Sequence, residues 1–368
     1  MPRFWPVRTV RGPPLGVAPG NAGNGGAMAL GPADAGFGRR ERPAGLAAGA
    51  PLSRVPDPAR ALGLVAEDLL ACETALRQLT HTDVAAIPAV ARHLMDGGGK
   101  RLRPALTALG ARAVGWKGDL PKLMAVGELI HLGSLLHDDV VDDADLRRGR
   151  AAAHRAFAPA VTVLSGDFCL ARAVWLAAEH GGHAVVTELA RAVTEMAEGE
   201  VLQLAATGDL NLARAAYYDV IDRKSGALIA WCCAAGALGL GSRDAIGALL
   251  RYGRGVGRAF QIADDVLDYV GGAGKDQWAD LKERKVTLPL LLAFEQDPSL
   301  RERVRNASDG DALTRIGPDI VASGAVARAS AAAADFANEA ISALDTLPAS
   351  PYRQALVDLG AALADRAA

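Results

Sequence analysis

Aromatic residues are scarce in this sequence, at 5% of 368 positions, and Ala, Leu and Val carry most of an apolar content of 50%. That balance suits close-packed helices better than a β-sandwich, whose strands favour aromatic and β-branched side chains. Cysteine is also sparse. Cys72, Cys169, Cys232 and Cys233 form no CxxC pair, so neither a disulfide framework nor a cysteine zinc site is expected, and a reducing compartment fits. Charge of one sign is missing as well: a net charge of -2 lacks the basic excess of a protein that coats nucleic acid. The most apolar stretches, such as residues 228–240, are short and interrupted by glycine, so no transmembrane span is expected, since a span needs roughly 20 apolar residues. Arg3, Arg8 and Arg11 precede no apolar core, which excludes a secretory signal.

Glycine and proline crowd into the beginning of the chain. Residues 1–58 combine them with an excess of arginine over acids, and such a segment cannot bury enough apolar surface to offset its ordering entropy. We therefore expect a disordered N-terminal extension over 1–58 and a single domain over 59–368. From residue 58 onward apolar residues recur at i, i+3 and i+4, as in Leu62, Val65, Ala66, Leu69, Leu70, Leu76 and Leu79. The same period fills 121–141, 160–178, 184–204, 214–240, 245–269 and 286–296, with Gly, Pro or Asp clusters between the runs. No alternating strand pattern competes. The fold class expected is all-α, one large helical bundle.

Two acidic clusters stand at the ends of apolar helical runs. Asp138, Asp139 and Asp142 lie in DDVVD, and Asp264, Asp265 and Asp268 repeat the pattern in DDVLD. On a helix the first and last acids of each cluster are one turn apart, about 6 Å between Cβ atoms, where like charges repel. A hard divalent cation supplies the missing partner, because Mg2+ takes oxygen ligands and is usually held by one or two carboxylates plus substrate phosphates. Cations flank the first cluster. The Gly-rich turn GGGKRLRP (97–104) brings Lys100 and Arg103, and Arg147 and Arg148 follow the acids. Backbone N–H groups of such a turn, with basic side chains beside them, suit a phosphate. The turn is no ATP-cleaving P-loop, since Leu94 stands where the first Gly is needed and Arg101 follows Lys100. Taken together, these residues build a site for one or two diphosphates whose remaining substrate is hydrocarbon.

GGGKRLRP, His131, HDDVVDDADLRRG (137–149), Lys224-Ser225, FQIADDVLD (260–268), Lys275 and KVTLP (285–289) resemble the trans-polyprenyl diphosphate synthases, most of all the bacterial long-chain type that makes octaprenyl or decaprenyl diphosphate. The resemblance runs from about residue 60 to the end. It implies an isoprenoid synthase-like bundle around a central cavity, a homodimer in the cytoplasm, and head-to-tail condensation of isopentenyl diphosphate with an allylic diphosphate, the product being delivered to a membrane. By motif position it implies that Asp138, Asp139, Asp142, Asp264, Asp265 and Asp268 hold Mg2+, up to three per site. Lys100, Arg103, His131 and Arg148 would bind isopentenyl diphosphate. Arg147, Lys224 and Lys275 would contact the allylic diphosphate, with Gln261 nearby. The residues four and five before the first Asp, Ser134 and Gly133, are small, which implies an open path and products longer than C20, for a quinone side chain. Trp175 and Leu176 are candidates for the end of that path.

The chain departs from the family pattern in the loop after the second cluster, where Trp278 replaces a usual Gly and Ala279 a usual Asp. A bulky indole there is expected to alter closure of the loop. Two other readings remain open on sequence: a shorter-chain, geranylgeranyl-type synthase, and a non-catalytic isoprenoid-binding subunit of a heteromeric synthase.

Overall fold

The computed structural model describes residues 56–99, 101–147, 149–271 and 277–365. Of the extension expected over 1–58, only 56–58 fall among them. The chain opens with α1 (Pro58–Gly63), where Asp57 accepts a hydrogen bond from the Arg60 N–H, then α2 (Ala66–Leu79), α3 (Ala86–Met95) and α4 (Leu102–Ala113). α5 (Leu120–Val141) is started by Asp119, whose carboxylate accepts from the Lys122 N–H, and by Pro121 in its first turn. A two-stranded antiparallel hairpin, β1 (Leu146–Arg147) and β2 (Arg150–Ala151), pairs Leu146 with Ala151 and Arg147 with Arg150. After it come α6 (Ala153–Phe157), α7 (Pro159–Leu176) and α8 (His183–Ala206). The 214–240 period resolves into α9 (Arg214–Ile221) and α10 (Ala227–Leu240), joined by a π-helical turn over Asp222–Gly226. α11 (Arg243–Val270) is the longest helix. Smaller elements follow: α12 (Ala279–Lys282), α13 (Leu288–Gln296), α14 (Pro298–Asn306), α15 (Gly310–Thr314) and α16 (Gly317–Ala322). The chain closes with α17 (Ala325–Ala343) and α18 (Pro351–Ala364).

The all-α expectation holds, and α10 shows why the bundle closes. Every residue of Ala227 to Leu238 is buried, so this helix has no solvent face. It packs against α4, α5, α8 and α11 and forms the centre of the larger apolar core. A second core gathers the inner faces of α13, α16 and α17 against α11.

One expectation needs correction. α7 with its π-helical extension, Pro159–Gly181, is 23 residues long with a mean hydropathy of 1.4, enough by length and composition to cross a membrane. It is apolar around its circumference for two reasons. Its inner face packs on α5, and its outer face presents Leu164, Val174 and Trp175.

All four cysteines are free and buried, and burial pushes the thiols of Cys72, Cys169 and Cys232 up to about 12. Thiolate is the reactive form. The native protein should therefore leave all four silent toward a thiol reagent at pH 8, with four equivalents reacting in denaturant; a fast native thiol would contradict this packing.

Candidate active site

Asp138, Asp139 and Asp142 close the last turn of α5, and their surroundings differ. Asp138 is half-buried and Asp142 is exposed. Burial pushes the Asp138 carboxyl up to about 6, against the pull of Lys224, while Glu200 and Asp142 push further and Arg147 opposes them. Lys224 sits in the π-helical turn and pairs with Glu200 on α8 at 2.5 Å. Asp139 is 0% exposed. One of its oxygens accepts from Arg147 Nε, and the other accepts from the Ala153 N–H at 3.0 Å. It thereby fastens the hairpin and the start of α6 to α5. Six equivalent carboxylates were expected; Asp139 instead secures the loop that carries Arg147. Consecutive helical residues point about 100° apart, so neighbours in the motif meet different surroundings.

The second cluster divides in the same way. Asp264 is half-buried, whereas Asp265 and Asp268 are buried. Asp265 accepts from Tyr217 Oη at 2.7 Å and from Gln261 Nε2 at 2.9 Å, and Gln261 Oε1 accepts from Ser225 Oγ at 2.8 Å. Burial, then the nearby Asp280, pushes the Asp265 carboxyl up to about 7, against its two hydrogen bonds and Lys285. Asp268 accepts from the N–H groups of Ala279 and Asp280 at 3.0 and 3.3 Å, so it caps α12. Trp278 keeps the left-handed backbone (φ 69°) that a glycine would adopt easily, at a cost of about 1–2 kcal/mol. Its indole rests edge-on against Tyr269 at 5.6 Å and faces Gly317. The tight turn thus survives the substitution because the ring is packed.

The two clusters open toward common ground. Glu283, just past α12, is raised by burial first and also feels Asp142 at the end of α5. A cleft of about 490 Å³ between α8, α9 and α11 is lined by Tyr217, Lys224, Ser225, Gln261, Asp265 and Lys285. Another of about 310 Å³ lies between His93 and Gly97 on one side and Leu135, Arg147 and Arg150 on the other. His131 and Arg103 are half-buried. Lys100, Arg148 and Lys275 lie outside the described residues. Arg101 turns away from any phosphate: it pairs with Glu73 and with the buried Glu128. His137 is an interhelix tie, its Nε2 3.2 Å from the Val163 carbonyl on α7.

The small residues expected to line the product path separate too. Ser134 is half-buried, its Oγ donating to the His131 carbonyl at 3.0 Å. Gly133 is corrected to a packing position. A Cβ there would stand 3.0 Å from the Gly166 carbonyl oxygen and 3.1 Å from Leu170, so its missing side chain lets α5 and α7 approach. Trp175, an expected end of the path, is 50% exposed on the outside of α7.

Glu200, Tyr217 and Lys285 belong to the site and were not expected from sequence. Glu200 and Lys285 stood inside recognised segments, but Tyr217 carries no local signal. Among the described residues, no three His, Cys, Asp or Glu side chains form a ready metal cage. The donor set still fits a hard cation. Asp138 and Asp142 offer carboxylate oxygens at an open rim, as does Asp264, and Mg2+ draws its other ligands from water and phosphate.

The polyprenyl synthetase family description matches residues 84–315. Octaprenyl diphosphate synthase of Escherichia coli K12 is 38% identical over 307 residues, 80% of this chain and 95% of that protein. A geranyl-diphosphate-specific all-trans-nonaprenyl-diphosphate synthase of Rhodobacter capsulatus is 35% identical over 315 residues, 83% of this chain and 97% of its own. Among solved structures, a polyprenyl synthase from Caulobacter crescentus CB15, complexed with calcium and isoprenyl diphosphate, superposes with a TM-score of 0.80 at 40% identity, covering 86% of this chain and all of that one.

Proposed function

The chain belongs to the polyprenyl synthetase family and is a long-chain trans-prenyltransferase, and from that premise we propose how its residues work: with Mg2+, they join isopentenyl diphosphate head-to-tail to an allylic diphosphate. The observation that carries the site assignment is the half-buried Asp138 facing Lys224, Glu200 and Asp142. Asp138, Asp142 and Asp264 hold the metal, with Asp265 and Asp268 bracing the second cluster from behind. The calcium in the Caulobacter relative supports a divalent cation.

The allylic C1–O bond breaks because the resulting cation is delocalised over three carbons. Bound Mg2+ supplies Lewis-acid stabilisation to the departing diphosphate. Lys224 and Arg147 add fixed positive charge on either side of Asp138, held in place by Glu200 and Asp139. Arg103 and His131, with Lys100 and Arg148, orient isopentenyl diphosphate so that its terminal alkene carbon meets C1. A C1–C bond forms as the C1–O bond is lost, and the proton on C2 of the isopentenyl unit leaves to an oxygen of the released diphosphate. No protein nucleophile is required. The chain works as a homodimer in the cytoplasm, its product serving as a quinone side chain; the exposed Leu164, Val174 and Trp175 give α7 an apolar outer face for a second copy.

Purified protein incubated with Mg2+, farnesyl diphosphate and labelled isopentenyl diphosphate should give products longer than C20, and chelation with EDTA should abolish them. No product, or product of C20 or shorter, contradicts the reading. Ser134→Phe should shorten the product by at least one C5 unit, since Ser134 lies one turn inward of Asp138; an unchanged length distribution on thin-layer chromatography would remove Ser134 from the path.

A further inference from the structure

Three helix faces run inward from the acidic mouth. On α5, Asp138, Ser134, His131 and Gly127 follow at spacings of three and four and so share one face. On α8 the same spacing gives Glu200, Met196, Val193 and Leu189, with Val185 one turn further. On the third element, Trp231 of α10 lies seven residues, two turns, beyond Lys224.

Exposure falls away at the same level on each face. Asp138, Ser134 and His131 are half-buried, and Gly127 is buried. Glu200, Met196 and Val193 are half-buried, while Leu189 and Val185 are fully buried. Lys224 is half-buried and Trp231 is 0% exposed. One side chain bridges the closed level. Trp231 Nε1 donates to the Val185 carbonyl of α8 at 3.0 Å, and its ring carbon Cζ3 lies 3.6 Å from the place a Cβ on Gly127 of α5 would take. Gly127 therefore leaves the room that the indole fills. Along α5 the level is about 16 Å below Asp138, at 1.5 Å rise per residue.

We propose that the Trp231 indole is the floor on which the growing polyprenyl chain comes to rest, and that it limits product length. This rests on the reading of the chain as a long-chain prenyltransferase. Each cycle adds five carbons and pushes the hydrocarbon end further from the diphosphate. Elongation stops when that end meets a side chain that cannot be displaced. Trp231 meets that description, because it is hydrogen-bonded to one wall, packed on another and surrounded by a close-packed core. Trp175 does not, since it stands on the outside of α7. Trp116 is a third candidate, and it lies beyond the floor: its indole fits against Gly118 and against Gly239, eight residues past Trp231 on α10.

The test uses the full chain with Mg2+, farnesyl diphosphate and labelled isopentenyl diphosphate, with products resolved by reversed-phase thin-layer chromatography. Wild-type product longer than C20 secures the underlying reading, and its absence overturns that reading independently of Trp231. Given such product, Trp231→Ala should lengthen the main species by one or more C5 units. Trp231→Phe, which keeps a buried ring and the fold if the alanine variant does not, should shift the distribution in the same direction by less. Trp116→Phe should leave it unchanged. A folded Trp231→Phe protein with the wild-type distribution overturns the proposal, and so does a longer product from Trp116→Phe, because the chain would then have passed Trp231.

Discussion

Asp138→Asn should lower turnover by about 10²–10³, the size of effect seen when one fixed electrostatic contact to a developing charge is removed. Asn keeps the shape and loses the charge that a divalent cation needs. Unfolding would not explain such a loss, because the substitution is expected to preserve or raise stability. The Asp138 carboxyl is pushed from 3.8 up to about 6, chiefly by burial. A carboxyl raised in the folded state favours folding while it is protonated, below pH 4. That contribution is lost as pH rises through 6, and at neutral pH the ionised group weighs against the fold. Asn removes that burden along with its repulsion from Glu200 and Asp142. Turnover down with an unchanged or higher melting temperature is the expected signature, and Asp264→Asn should share the fall in turnover. Steady-state rates within threefold of wild type for both variants would dismiss the acidic clusters as the reacting centre.

The helices were legible because their apolar period is long and strong, and the two clusters were legible because repelling carboxylates at the ends of apolar helices have no bland explanation. What sequence could not separate was the work of neighbours within a motif. Asp138 and Asp139 are adjacent letters, yet one faces the cleft and the other is sealed by a hairpin that returns eight residues later to place Arg147 on it. Asp265 depends on Tyr217, 48 positions away on another helix, which no local pattern announces. The tryptophans make the same point. Trp175 and Trp231 both sit in apolar runs, and only the packing of α7 and α10 decides that one is on the outside and the other at the centre. In Gly133 the small side chain was legible and its use was not: it serves the approach of α7.

Arg101→Ala should destabilise the protein by about 3–5 kcal/mol, the usual consequence of stripping one partner from a buried ion pair. Arg101 begins α4 in the left-handed region, φ 46°, where a non-glycine residue persists only when its surroundings hold it. Its guanidinium is the holding device. Nε and Nη2 reach Glu73 on α2 at 2.9 and 3.2 Å, and Nη1 reaches Glu128 on α5 at 2.8 Å. Glu128 is buried, so removal of the arginine leaves a carboxylate without a counter-charge in the apolar core beside Cys72. Arg101→Lys keeps the charge but not the two-pronged fork, so it should fall between wild type and alanine. Adding Glu128→Gln to Arg101→Ala should recover part of the loss, because the stranded charge is then gone. The clamp also fixes where Arg103 leaves the turn, so the KM for isopentenyl diphosphate should rise in Arg101→Lys more than that for the allylic substrate. Urea denaturation midpoints and separate KM values read both effects. A loss below about 1 kcal/mol in Arg101→Ala, the range of a surface pair, would mean that this network only decorates the bundle.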